Sequence, residues 1–281
     1  MRTLEQYHPI TIALYFCMVA GVVMFSMHPV LLIVSLIGAL LTFFVPQDKP
    51  KGGHGMAIAL FFVIALLNPL ISHNGVTVLF VVNHNPITAE AFYYGLAMAT
   101  AILAVLYWFR TFTHMMTSDK LLCLFGALSP KLALVLSMGL RYVPLFQQQW
   151  AKVEQAQKGL GKTGKLRVFS GMVTWALENG IITADSMAAR GYGTGKRSHF
   201  SIFHFSRKDG ILLGMMTAFF ALTCIGLGSG SMEIAYYPAV VFAKATPWTY
   251  IAYVAYGILA LLPTFLEVEE NIRWNYLQRN I

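Results

Sequence analysis

Apolar segments with uncharged interiors constrain this chain more than any other feature of its sequence. Backbone amides inside a lipid bilayer must find their hydrogen bonds within the protein, which favours helices. A helix needs roughly 20 apolar residues to cross a hydrocarbon core of about 30 Å. The apolar segments cover residues 10–27, 29–45, 56–72, 88–109, 211–227 and 248–266. The sequence therefore predicts an all-α membrane protein with about six transmembrane helices.

The basic residues are concentrated in one block between the fourth and the fifth apolar segment. Residues 110–208 hold 14 of the 20 Lys and Arg residues and only four acidic residues. Because positive charge near membrane ends stays in the cytoplasm, we expect this block to be cytoplasmic rather than to bind nucleic acid. The predicted domains are four spans in 1–109, a cytoplasmic region in 110–208 and two spans in 209–281. An even number of crossings places both termini in the cytoplasm of a multi-pass cell-membrane protein.

Within the basic block, the apolar periodicity and the helix-end signals predict two long helices. Pro130 is suited to the first turn of a helix, which we expect to cover about 131–160 with a kink at Pro144. The second helix contains Trp175 and ends at Arg190, where glycines follow. Together these segments predict a cytoplasmic hairpin of two long helices.

A short apolar piece, residues 76–82, separates the third and fourth segments and is too short to cross a bilayer. It is either a re-entrant or an interfacial segment on the outer side. His73 and His84 flank it and are of a type that binds transition metals, but two histidines in loops are more often solvated. Cys17, Cys123 and Cys224 are isolated from one another. We expect no metal, no disulfide and no cofactor on this chain.

An enzyme would need a nucleophile with a base, convergent acids or a phosphate-binding loop. The glycines from Gly191 to Gly195, with Lys196 after them, lack the spacing of such a loop. Two rival functions remain open: a membrane-embedded enzyme that modifies lipids and uses the basic block to bind headgroups, and a self-sufficient secondary transporter. The apolar segments lack the interior charges of a substrate path, which favours a scaffold over an autonomous pump.

Several short motifs stand in a fixed order over most of the chain. They are Asn68-Pro69, Ile87-Thr-Ala-Glu90, Arg141-Tyr-Val-Pro144, Glu154-Gln-Ala-Gln-Lys158, Ala189-Arg190-Gly191, Gly191-Tyr-Gly193 and Lys196-Arg197. In this combination the chain resembles the transmembrane T component of energy-coupling factor (ECF) transporters, the CbiQ-like family. The resemblance implies a non-enzymatic subunit whose two long cytoplasmic helices are coupling helices.

The resemblance also implies roles for individual residues. The Ala189-Arg190-Gly191 end, with Asp185 and Met187 before it, would dock in a groove of a cytoplasmic ATPase subunit. The end of the first coupling helix has Lys158 where most family members carry an arginine motif, and lysine can replace its charge but not its planar fork. The apolar face of the hairpin would pack against a membrane partner through Leu132, Leu136, Met172, Trp175 and Ile182.

The implied partners are two ABC-type ATPase subunits, which hydrolyse ATP, and a small membrane-embedded S component that captures the substrate. In such an importer the T component is the scaffold that transmits the ATPase motion to the S component. Vitamins and transition-metal ions are the substrate classes that the resemblance implies. The S component, rather than this chain, would select among them.

Overall fold

The computed structural model describes residues 4–45, 53–72, 74–82, 85–161, 164–195 and 203–279. The chain is mostly helical and forms two compact units. Unit 1 comprises residues 1–118 and 204–281, and unit 2 comprises residues 119–203.

Unit 1 contains the candidate membrane spans. Its helices are α1 (Pro9–Phe25), α2 (Pro29–Phe44), α3 (His54–Ile71), α4 (Ala89–Met115), α8 (Arg207–Gly228) and α9 (Pro247–Arg279), with a 3-10 turn at Leu4–Gln6. Four of them, α3, α4, α8 and α9, are long and apolar enough to cross a membrane. The helices α1 and α2, with 17 and 16 residues, are apolar but shorter. These features are those of a membrane protein.

Unit 2 contains two long helices, α6 (Pro130–Gly159) and α7 (Lys165–Ala189), which follow the shorter helix α5. Helix α5 begins at Ser118, at the boundary of the units, and ends at Leu128. Pro130 occupies the first turn of α6, as its fixed φ angle predicts. Pro144 lies inside α6, and the kink expected there stays a prediction.

Side-chain caps determine where several helices of unit 1 begin. The ring Nδ1 of His8 accepts from the N–H of Ile10, and a proline follows the histidine as the first helical residue. The Thr88 hydroxyl caps α4 by accepting from the N–H of Ala91, and threonine is a residue type favoured at this position. Ser206 and Asp209 form a reciprocal capping box at the start of α8. Such caps satisfy amides that the helix itself leaves unpaired.

Small residues bring the helices of unit 1 into close contact. A Cβ atom built on Gly95 of α4 would lie 2.9 Å from the carbonyl oxygen of Ala65 in α3. One built on Gly38 of α2 would lie 2.9 Å from the carbonyl oxygen of Ala260 in α9. In membranes, where lipid is as apolar as the side chains, such approach lets van der Waals packing stabilise helix pairs.

Polar contacts tie the helix ends together at one end of unit 1. The Tyr236 hydroxyl donates to the carbonyl oxygen of Met27 at 2.6 Å. The Tyr237 hydroxyl accepts from the Ser72 hydroxyl at 3.3 Å. We call this the outer end, by its predicted orientation, and it also carries the connection from α3 to α4.

A second set of contacts lies at the opposite end, which we call the inner end. The N–H of His8 donates to Oδ1 of Asp209 at 2.8 Å and so joins the starts of α1 and α8. The Arg110 guanidinium donates to the carbonyl oxygen of Gly53 at 3.1 Å. The chain leaves unit 1 for unit 2 after α4 and returns at α8, so both connections depart from the inner end.

The structure also contains two short β-hairpins, which the prediction of an all-α protein did not include. Strands β1 (Val78–Val82) and β2 (Asn85–Thr88) pair antiparallel, and so do β3 (Ile234–Ala235) and β4 (Val241–Phe242). The first hairpin forms because β1 is made of β-branched and aromatic residues and leucine, which favour strands. The short apolar piece of the sequence is therefore a strand, and α4 extends past residue 109 to Met115.

The close approach at Gly95 yields a testable prediction. We expect Gly95→Ala to lower the free energy of unfolding by about 1–3 kcal/mol, because the added methyl group overpacks the contact with Ala65. Gly214→Ala is the matched control, because nothing lies within 4 Å of its Cβ position. Alanine should be neutral or stabilising there, being about 1 kcal/mol better than glycine in a helix. Equal melting temperatures for the two detergent-solubilised variants would contradict this packing.

Candidate functional site

The candidate site lies on the antiparallel hairpin of α6 and α7 in unit 2. The Tyr142 and Thr183 hydroxyls hydrogen-bond at 2.9 Å, and the rings of Phe146 and Trp175 meet edge to face at 5.3 Å. Tyr142 precedes Phe146 on α6, whereas its partner Thr183 follows Trp175 on α7, as antiparallel helices require. The hairpin is therefore held by specific contacts along its length.

Arg190 sits at a helix end that the backbone itself closes. The N–H of Tyr192 donates to the carbonyl oxygen of Met187 at 3.0 Å, and that of Gly191 to Ala188 at 2.9 Å. This pair of bonds is a Schellman motif, and it places Gly191 in the left-handed region with φ at +75°. Helix α7 ends at Ala189, and Arg190 is its C-cap residue. The Ala-Arg-Gly tripeptide is thus a defined helix terminus.

The Arg190 side chain is exposed and has no ion-pair or hydrogen-bond partner among the residues that the structure describes. Asp185 is exposed one turn earlier, and Met187 is half-buried. A positive charge at a helix C-terminus interacts favourably with the helix dipole. The guanidinium thus presents five donors to any acidic group that approaches.

Lys158, near the end of α6, differs from Arg190 because it forms an ion pair. Its Nζ atom lies 2.7 Å from Oε1 of Glu154, one turn earlier on the same helix. The hydrogen bond from Lys158, and then its charge, hold the pKa of Glu154 below its usual value. Helix α6 ends at Gly159, and Gly161 follows with φ at +67°. Lys158 is therefore already paired with a carboxylate, whereas Arg190 has no such partner in the described part of the chain.

A cavity of about 380 Å³ opens beside this ion pair, where α6 ends and α7 begins. It is lined by Trp150, Glu154, Gln157, Lys158, Gly164, Lys165 and Val168. The Oε1 atom of Gln157 is buried and has no hydrogen-bond partner within the described part of the chain. The sequence reasoning missed Trp150, Gln157 and Lys165. The four-residue spacing of Trp150, Glu154 and Lys158 on one helix face was a signal that could have found the first of them.

The predicted packing face of the hairpin is only partly exposed. Leu132, Leu136 and Ile182 are exposed, and Trp175 is half-buried. Met172 is only 3% exposed, so its side chain belongs to the interior and is not available to a partner in this structure. Other large apolar residues extend the exposed surface; they are Val135, Leu140, Val143, Phe169, Val173, Leu177 and Ile181.

No metal centre accompanies the site within the described residues, where no three His, Cys, Asp or Glu side chains form a group that could hold a metal ion. His73 and His84, which flank the short apolar piece of residues 76–82 in the sequence, lie outside the described residues. Lys196-Arg197 of the motif series also lies outside them.

No protein-family model matches this chain, and no curated protein matches it. The functional interpretation therefore depends on the motifs and on the geometry of the hairpin.

The Schellman closure predicts the effect of one substitution. We expect Gly191→Ala to destabilise the end of α7 by about 1 kcal/mol, because a residue with a Cβ atom disfavours the left-handed region. The Tyr192 amide, which closes the motif, should then exchange its hydrogen about fivefold faster. Gly180→Ala, in the open middle of α7, is the control and should leave that exchange unchanged. An unaltered Tyr192 rate in Gly191→Ala would refute the closure.

Proposed function

We propose that this chain is the transmembrane scaffold and energy-coupling subunit of an ECF-type importer. It joins two ABC-type ATPase subunits to a membrane-embedded S component that takes up a vitamin or a transition-metal ion. The observation that carries the proposal is Arg190, an exposed guanidinium that lies at a backbone-closed helix end and has no partner among the described residues. Arg190 belongs to the Ala-Arg-Gly motif, for which the family resemblance implies a contact with an ATPase subunit.

The local chemistry supports docking in an acidic groove. A guanidinium binds a carboxylate through two parallel hydrogen bonds. This pair of bonds strengthens the contact and also fixes the orientation of the two groups. Gly191 has no side chain, so a partner backbone can come close to the helix end. Closure of the ATPase pair on ATP displaces this end, and α7 carries the displacement because its residues are joined by continuous helical hydrogen bonds.

The other end of the hairpin contributes differently to the proposed contact. Lys158 shares its charge with Glu154, so a partner carboxylate has to compete with that ion pair. An exposed i, i+4 pair is weak, so this competition costs little. The ammonium group of Lys158 is a point charge without the planar fork of a guanidinium, so Arg190 is the principal electrostatic contact with the ATPase subunits and Lys158 is the weaker one.

The apolar surface of the hairpin supports a second partner. Leu132, Leu136 and Ile182 are exposed on helices that belong to the basic, proposed cytoplasmic block. Apolar patches of this kind on soluble surfaces mark interaction sites. The S component covers this surface. The S component, rather than this chain, selects the substrate.

In this proposal the six helices of unit 1 all cross the membrane. The helices α1 and α2 are joined by Ser26, Met27 and His28, which allows only an antiparallel pair. Their 16 or 17 residues give about 25 Å at 1.5 Å per residue, and a short span is accommodated by local thinning of the bilayer. Both termini and the basic block are then cytoplasmic, by the positive-inside rule.

The first test reverses the charge of the helix end. We expect Arg190→Glu to abolish co-purification of the ATPase subunits with the tagged chain and to abolish ATP-dependent uptake, because a carboxylate would repel an acidic groove. Arg167→Glu is the matched control, since Arg167 is an exposed arginine at the opposite end of α7. It should retain the complex. Retention of both the complex and uptake in Arg190→Glu would overturn the assigned role.

The second test compares how much each end of the α6–α7 hairpin contributes to ATPase binding. Lys158→Ala should weaken ATPase binding by a few-fold at most, because a lysine ammonium group cannot make the two parallel hydrogen bonds that a guanidinium makes with a carboxylate. Affinities of the purified subunits for each variant in nanodiscs would measure this. A loss in Lys158→Ala as large as that in Arg190→Glu would show that the two ends dock equally.

Reconstitution separates the proposal from its rivals. Proteoliposomes that contain this chain alone should transport nothing, whereas a secondary transporter would work without ATP. Lipid chemistry in the same vesicles would indicate a lipid-modifying enzyme instead.

A further inference from the structure

The hairpin of β1 and β2 at the outer end exposes apolar side chains on both of its faces. The strand register is regular from Phe80 to Val82, so the side chains of Phe80 and Val81 point to opposite faces. Phe80 is 61% exposed and Val81 is 62% exposed. No charged residue occurs between residues 52 and 89. A hairpin in water would hide at least one of these faces.

The base of the hairpin is fixed to α4. The Thr77 hydroxyl donates to Oε1 of Glu90 at 2.7 Å, and the Thr88 hydroxyl donates to the carbonyl oxygen of Asn74 at 2.8 Å. Gly75 has φ at +146°, and a Cβ atom there would lie 2.5 Å from Oε2 of Glu90. Glu90 is buried. The exposed strands therefore project from a braced base and not from a loose loop.

The apolar surface of the hairpin continues onto a candidate span. Helix α3 leads into the hairpin, and Leu66, Leu67, Leu70 and Ile71 near its end are all exposed. A spanning helix presents such residues to lipid. The same lipid is thus adjacent to the strands, which points to lipid rather than to a protein partner.

The backbone limits how deep the hairpin can lie. A two-stranded sheet leaves unpaired N–H and C=O groups on both outer edges, and these cannot be left unsatisfied in the hydrocarbon core. Pro86 in β2 has no backbone N–H, so β2 carries one donor fewer. Water and headgroups at the membrane interface can satisfy the remaining groups, while acyl chains and headgroup carbons cover the side chains.

We propose that the β1–β2 hairpin is inserted edge-on at the headgroup–acyl boundary of the outer leaflet, with both of its faces in contact with lipid. An orientation flat on the surface would turn one of two equally apolar faces to water. The proposal rests on the membrane location of unit 1 and not on the coupling function, so either can fail without the other.

Spin-label accessibility in vesicles of phosphatidylethanolamine and phosphatidylglycerol tests the proposal. In a background with serine at Cys17, Cys123 and Cys224, a nitroxide is attached to Phe80→Cys or to Val81→Cys. Both labels should be several-fold more accessible to oxygen than to a nickel chelate, and to a similar extent. Phe62→Cys, exposed on α3, is the lipid reference, and Leu166→Cys, exposed on α7, is the water reference.

Three outcomes would overturn the proposal. If one label is more accessible to oxygen and the other to the nickel chelate, the hairpin lies flat on the membrane. If both labels are more accessible to the nickel chelate, the hairpin is in water. If both labels are poorly accessible to either reagent, protein covers the hairpin. Phe80→Trp provides an independent measurement with a milder change. Its added fluorescence, relative to the unsubstituted chain, should be quenched most by lipids brominated near the headgroup.

Discussion

Close approach of helix backbones at small residues is the contact on which unit 1 depends. Lipid removes the hydrophobic driving force between helices, so their association depends on how many atoms they bring into contact. Gly38 against Ala260 and Gly95 against Ala65 allow α2 to meet α9 and α3 to meet α4 without intervening side chains. Larger residues then fill the space beside these points. Trp108 is almost fully buried there, and its indole N–H donates to the Ser35 hydroxyl at 2.9 Å.

Hydrogen bonds at both ends of unit 1 hold the packed helices in register. The buried Asp209 carboxylate accepts from the N–H of His8, and Tyr236 reaches the carbonyl oxygen of Met27. These contacts join segments about 200 residues apart in the chain, so they are made only when the first and the last helices are assembled. Unit 2 has fewer buried residues: none lies on α6, and two, Val168 and Met172, lie on α7. Most of the surface of the α6–α7 hairpin is therefore exposed in this structure.

The sequence predicted the features that depend on local chemistry. Thr88 begins α4 and Pro130 begins α6, because capping and the fixed φ of proline act within a few residues. The strand at Val78 was not predicted, because a short apolar piece gives no periodicity and its pairing depends on β2. The burial of Met172 was missed because it depends on which neighbours the fold supplies. The ion pair of Lys158 is local, and its i, i+4 spacing from Glu154 on one helix could have predicted it. Motif order could suggest a docking residue, but it could not reveal that Arg190 has no partner among the described residues.

The closure of α7 has a mechanical consequence. The carbonyl groups of Met187 and Ala188 are occupied by the chain's own amides, so this terminus has no need to borrow donors from another molecule. In the proposed function, a partner would therefore detach from this end without fraying its last turn and would meet the same helix end at the next encounter. Repeated binding and release would then require no refolding of α7.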